Sequence, residues 1–155
     1  YADEHDRPLL IAPPSEAFPL RRKAVGAVLC DRRGRAFVRR RASERGVETW
    51  DISAETYVRS GEAREEAVGR AVRETLGLSN VPFGEAVPAA FKPAGGNVSL
   101  TLFLAELPGL LPPDSLREGH FLDREELVGM AETFPDLFSP VLLWAIGTGC
   151  LWKRR

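Results

Sequence analysis

The chain reads as an α/β sandwich, a sheet covered by helices on both sides, and three observations predict it. An apolar, β-branched run, KAVGAVLCD (23–31), has the composition of a buried strand. A charged amphipathic segment ending at Gly77 lies between two groups of extended segments. Two further segments near the end, FLDREELVGMAE and PDLFSPVLLWAIGTG, read as helices, the second strongly apolar. With 155 residues, 44% of them hydrophobic and 28% charged, the chain has the size and composition of one globular domain.

In chain order, residues 1–22 form a lead-in rich in Pro and acidic residues, expected to be irregular or short-stranded, and residues 23–150 form the single domain. The lead-in carries no secretory pattern. Strand 23–31 is followed by the turn RRGR and the alternating RAFVRRR (35–41), which together predict a hairpin. Residues 50–58, WDISAETYV, predict one short strand. Ser60 is placed to cap the helix that runs to about Leu76, with Gly77 as its stop. FGEAVPAAFKP and NVSLTLFLAELPG predict two extended segments around a Gly95-Gly96 turn.

Charge excludes little and suggests little. A net charge of −1 gives no global attraction for nucleic acid or an acidic membrane. The clusters Arg21-Arg22-Lys23, Arg39-Arg40-Arg41 and Lys153-Arg154-Arg155 read as solvated surface charge. The run Val141 to Trp152 is too short to span a bilayer. Cys30 and Cys150 cannot form a four-ligand zinc site, and a reducing cytoplasm is the expected location.

The chemistry concentrates in TYVRSGEAREEAVGRAVRETLGL (56–78). Each helical residue turns about 100°, so Glu62, Glu66, Arg70 and Glu74 form one ionic stripe. Positions 71, 74 and 75 adjoin, and three carboxylates there would make a hard-oxygen site for Mg²⁺ or Mn²⁺. Only Glu74 is acidic; positions 71 and 75 hold Ala71 and Thr75. Ala67, Val68, Ala71, Val72 and Leu76 can alternatively form a broad buried face.

This stretch resembles the Nudix box, G-x5-E-x7-R-E-U-x-E-E-x-G-U, where U is aliphatic. Glu62, Arg70, Val72, Glu74, Gly77 and Leu78 match the pattern; Thr56, Ala71 and Thr75 depart from it. The flanking RAFVRRR and WDIS are similar to segments upstream of the box, and DEHDRPL and LRRKAVGAVL resemble the branch related to isopentenyl diphosphate isomerase. An isomerase of that kind needs a cysteine after Trp50, where this chain has Ser53.

The resemblance implies a Nudix-like α/β/α sandwich with a mixed sheet. It implies a pyrophosphohydrolase acting on a nucleoside diphosphate linked to another group, with Mg²⁺ or Mn²⁺ as cofactor. Two absent box acids imply weak metal binding and weak turnover, and a binding module without turnover is the alternative. Glu62, Arg70 and Gly77 take the structural box roles, and Glu74 is the remaining catalytic and metal candidate. Glu55 is a candidate replacement metal ligand, Glu118 a candidate catalytic acid, and Arg39 and Arg41 candidate phosphate-binding residues. The expected partner is a small-molecule nucleotide or diphosphate ligand, with neither membrane nor specific nucleic acid; a homodimer is left open. Acids restored at positions 71 and 75 are expected to regain metal if those positions face the pocket, and to destabilise the protein if they face the core.

Overall fold

A computed structural model describes residues 21–42, 46–107, 109 and 118–152. Most of the lead-in therefore lies outside the described residues. Strand β1 (Arg22–Cys30) is the spine of the sheet. Along one edge it runs parallel to β5 (Val98–Glu106), from Arg22↔Val98 to Cys30↔Glu106. Its other edge is shared. The first half pairs antiparallel with β4 (Ala54–Tyr57), and Cys30 pairs with Ala36 of β2 (Ala36–Ala42) across the predicted hairpin turn. Strand β2 then carries β3 (Glu48–Asp51) on one edge and β6 (Gly119–Leu122) on the other. Among the described residues the sheet has six strands and is mixed, because β1 and β5 are parallel while the other pairings are antiparallel.

Strands β1 and β2 diverge beyond their single shared pair, and residues 52–53 fill the wedge between them. The buried Ser53 hydroxyl donates to the Phe37 carbonyl at 2.7 Å and accepts from the Leu29 N–H at 3.0 Å. It thus satisfies backbone groups that no ladder reaches. Ile52 is fully buried against Gly26, where a Cβ would stand 2.5 Å from the Ile52 Cδ1, so any larger residue would force Ile52 to shift. This splits the strand predicted over 50–58 into two, a consequence of where its hydrogen bonds go.

Alternation along β1 feeds two cores. Val25, Ala27 and Leu29 pack with Ala67, Val68, Ala71, Val72 and Leu76 of helix α1 (Arg64–Leu76). Ala24 and Val28 face Leu127 of α2 (Arg124–Thr133) and Val141, Leu142 and Ala145 of α3 (Pro140–Thr148). The broad buried face predicted on α1 is therefore the face that meets the sheet.

Local details correct several expectations. Helix α1 starts three residues later than a Ser60 cap would set it; Ala63 occupies the N-cap without a side-chain bond. Gly77 does end the helix, at φ 70° with its N–H on the Arg73 carbonyl, a left-handed conformation that favours glycine. Residues 83–93 form a strap rather than a strand. Pro88 and Pro93 lack the N–H a ladder needs, so only occasional bonds reach β5, such as Val87 N–H to Leu102 O at 2.8 Å. Phe121 and Leu122, predicted helical, belong to β6, and Asp123 with Glu126 forms a capping box that starts α2 beyond them. The last predicted helix is a 3₁₀ turn, Pro135–Leu137, followed by α3, which Ser139 caps.

Candidate functional site

Three groups of side chains hold the residues singled out by the sequence. The first lies on α1. Arg70, 8% exposed, grips Glu62 with two parallel bonds, Nε to Oε2 and Nη2 to Oε1, both 3.0 Å. Its Nη2 also donates to the Tyr57 carbonyl at 2.8 Å and its Nη1 to the Thr56 hydroxyl at 3.2 Å. Glu62 in turn accepts from the Arg59 N–H at 3.0 Å, so the pair fastens the loop before α1 to both helix and β4. Hydrogen bonds from Arg70 and the Arg59 N–H outweigh the cost of burial and hold the Glu62 carboxyl down at about 2. The same bond to Glu62 raises Arg70 above its ordinary value.

Glu74, on the exposed side of α1, stands 3.7 Å from Arg70. Ala71, one turn from it, is 1% exposed and sealed in the core between α1 and the sheet. Thr75 is half-buried. Among the described residues, no three His, Cys, Asp or Glu side chains gather where they could hold a metal ion. Of positions 71, 74 and 75, only 74 carries an acid, and it lies beside Arg70, so the donors there do not fit the divalent ion that the box implies.

The second group surrounds a cavity of about 540 Å³ beside the wedge. Ala54 and Thr56 of β4 face α1, so Glu55 between them points to the opposite face and lines this cavity. Glu55 therefore does not join Glu74. Arg41 closes on it, bonding both Glu55 and, at 3.2 Å from Nη1, the buried Asp51 Oδ2. The other Asp51 oxygen accepts from the Ser139 hydroxyl at 2.7 Å and from the Ile52 N–H at 2.8 Å. Burial and the Asp51 charge push the Glu55 carboxyl up, and Arg41 pulls it back only in part. Bonds to Asp51 and the charge of Glu55 raise Arg41 against the cost of its own burial. Tyr57, Phe91 and Phe138 supply aromatic walls.

The third group is at the β2–β6 pairing. Arg39 is half-buried opposite Gly119, and its Nε is buried without a hydrogen-bond partner among the described residues. Glu118 is exposed, and its backbone carbonyl accepts from the Arg40 N–H at 2.6 Å. The structure thus unites Glu62, Arg70 and Glu74, and separately Arg41 with Glu55, but assembles no single site from all of them.

Sequence reasoning missed Asp51 and Ser139. Asp51 left a signal, since it is the one acid inside the apolar stretch WDISA, and a buried acid needs partners. Ser139 before Pro140 is an N-cap signal, but nothing local connects it to residue 51.

Comparison with known proteins agrees with this geometry. Among solved structures, DR0079 from Deinococcus radiodurans matches with a TM-score of 0.71 at 21% identity, over 98% of this chain and 97% of that one. A MutT protein from Methanosarcina mazei Go1 matches with a TM-score of 0.60 at 20% identity, over 84% of this chain and 96% of that one. A Nudix hydrolase from Nitrosomonas europaea gives 0.62 at 14% identity, over 86% and 91%. Likeness at these identities concerns the fold. Comparison with the curated proteins gives no match. The NUDIX domain family model matches residues 20–142, a span that contains the wedge, the box helix and the cavity. With that match over most of its length and Arg70 locked to Glu62 in the box register, the chain belongs to the NUDIX domain family.

Proposed function

We propose that this protein binds a nucleotide or diphosphate ligand in the cavity beside Arg41 and hydrolyses it at most weakly. What carries the reading is the burial of Ala71 at 1% exposure together with the engagement of Glu74 by Arg70, on the helix face where the family's metal ligands belong. Loss of metal charge beside a developing phosphoryl charge removes several kcal/mol of transition-state stabilisation, on the order of 10³-fold or more in rate. The box pair Glu62–Arg70 acts as a structural brace of the loop before α1. Arg41, with its side chain 52% exposed, is the cation at the cavity best placed to meet a phosphate.

The test is a hydrolysis screen of nucleoside diphosphate derivatives with Mg²⁺ or Mn²⁺, run beside calorimetric binding of the same compounds. Expected are binding that weakens in Arg41→Ala and a turnover barely above background. Fast, metal-dependent turnover that Glu74→Gln abolishes would sink the proposal.

A further inference from the structure

Resting on the reading that this cavity is the ligand site, we propose that its floor selects a planar group that donates N–H hydrogen bonds, such as an amidine or an amino-substituted ring. In this arrangement Asp51 and Glu55 are the acceptors, and Arg41 is an internal cation that the ligand displaces.

The argument begins with charge. Two carboxylates converge on one nitrogen, the Arg41 Nη1, so these three groups together carry one negative charge in excess. The Asp51 side chain is 4% exposed and that of Glu55 29%, so this excess sits where water screens it poorly. The Asp51 Oδ1 is already held by Ser139 and the Ile52 N–H, so the carboxylate is fixed in place and Oδ2 is the oxygen turned to the cation. Among the three ionic groups, Arg41 alone is largely exposed, so it can turn to solvent once a ligand cation replaces it on the two carboxylates. Burial and the neighbouring Asp51 charge push the Glu55 carboxyl up, and a cationic donor beside it would oppose both.

The walls complete the selection. Tyr57, with Arg22 stacked on its ring at 3.5 Å, lines the cavity together with Phe91 and Phe138, and aromatic walls suit a flat, cationic ligand. At about 540 Å³ the cavity is large enough for a ring system with substituents. A phosphate on the floor would face two carboxylates and is repelled. It belongs farther out, on an Arg41 that has swung away, so the donor group enters first and the phosphate stays at the rim.

The experiment titrates the full chain with benzamidine and with benzamide, flat molecules of the same size. The amidine offers a cation and N–H donors on both nitrogens where the amide has a carbonyl acceptor. Benzamidine is expected to bind about tenfold more tightly or better, the worth of a hydrogen bond to a charged group. Glu55→Gln should reduce that preference, and Asp51→Asn should remove it wherever thermal melting shows that this variant folds. Arg41→Ala should tighten benzamidine binding several-fold, whereas the same change should weaken inorganic pyrophosphate. Equal binding of the two probes, a preference unmoved by Glu55→Gln, or weaker benzamidine binding in Arg41→Ala would each overturn the proposal. Failure of nucleotides and pyrophosphate to bind, with the benzamidine preference intact, would instead overturn the assignment of a phosphate ligand.

Discussion

Arg70 spends its guanidinium on four acceptors: both oxygens of Glu62, the Thr56 hydroxyl and the Tyr57 carbonyl. Thr56 stands where the family pattern has glycine, and here its hydroxyl joins the brace that it flanks. Removing one partner of such a covered pair strands the other, so Arg70→Ala should cost roughly 1–3 kcal/mol in urea denaturation. Unchanged stability would mean that the brace has no structural weight. The pH dependence has a definite sign. The folded Glu62 carboxyl lies near 2, below its ordinary 4.5, so its contribution is complete above about 4.5 and fades as pH falls towards 2. Comparison of wild type with Glu62→Gln should therefore show a stability gap at neutral pH that closes by about pH 2.

At the scale of the element, α1 keeps the register of the box while Ala71 and Thr75 stand at two of its acid positions. Its glycine stop follows from spacing alone and is present, and of the predicted stripe Arg70 meets Glu74 on the helix and Glu62 in the loop before it. Whether position 71 faces a pocket or a core does not follow from spacing, because the faces of a helix acquire meaning only from what packs on them. Here the sheet takes Ala71. Ala71→Glu should bury a carboxylate without a partner and cost on the order of 2–5 kcal/mol, without creating a tight Mg²⁺ site. Thr75→Glu, at a half-buried position, should stay within about 1 kcal/mol of wild type. A stable Ala71→Glu protein with micromolar Mg²⁺ affinity by calorimetry would show that the side chain escapes to a metal site.

Across the whole molecule, a few polar side chains join parts that are distant in sequence. Ser139 caps α3 through the Leu142 N–H and donates to Asp51, 88 residues away, so one hydroxyl ties the helix layer to the floor of the cavity. Ser53 does the same between diverging strands. Ser139→Ala should lower stability by about 1–2 kcal/mol, combining a lost cap with a weakened hold on a buried carboxylate. It should also loosen ligand binding at the Arg41 cavity, which titration of the folded variant would reveal; unchanged binding would place the cavity under the control of β3 alone.

Short-range physics made much of this protein legible from its residues. The buried strand 23–31, the hairpin turn after it, the glycine stop of α1 and the box pairing of Glu62 with Arg70 all depend on neighbours within a few turns or residues, or on a motif with fixed spacing. What the tertiary structure decided is the division of residues 50–58 around the wedge, the strap at 83–93, the turn of Glu55 away from α1, and the meeting of Arg41, Asp51, Glu55 and Ser139. Each depends on which backbone groups a remote strand leaves unpaired, or on which side of the sheet an alternating side chain emerges. Those are properties of pairing and packing between segments far apart in sequence, and no local pattern encodes them.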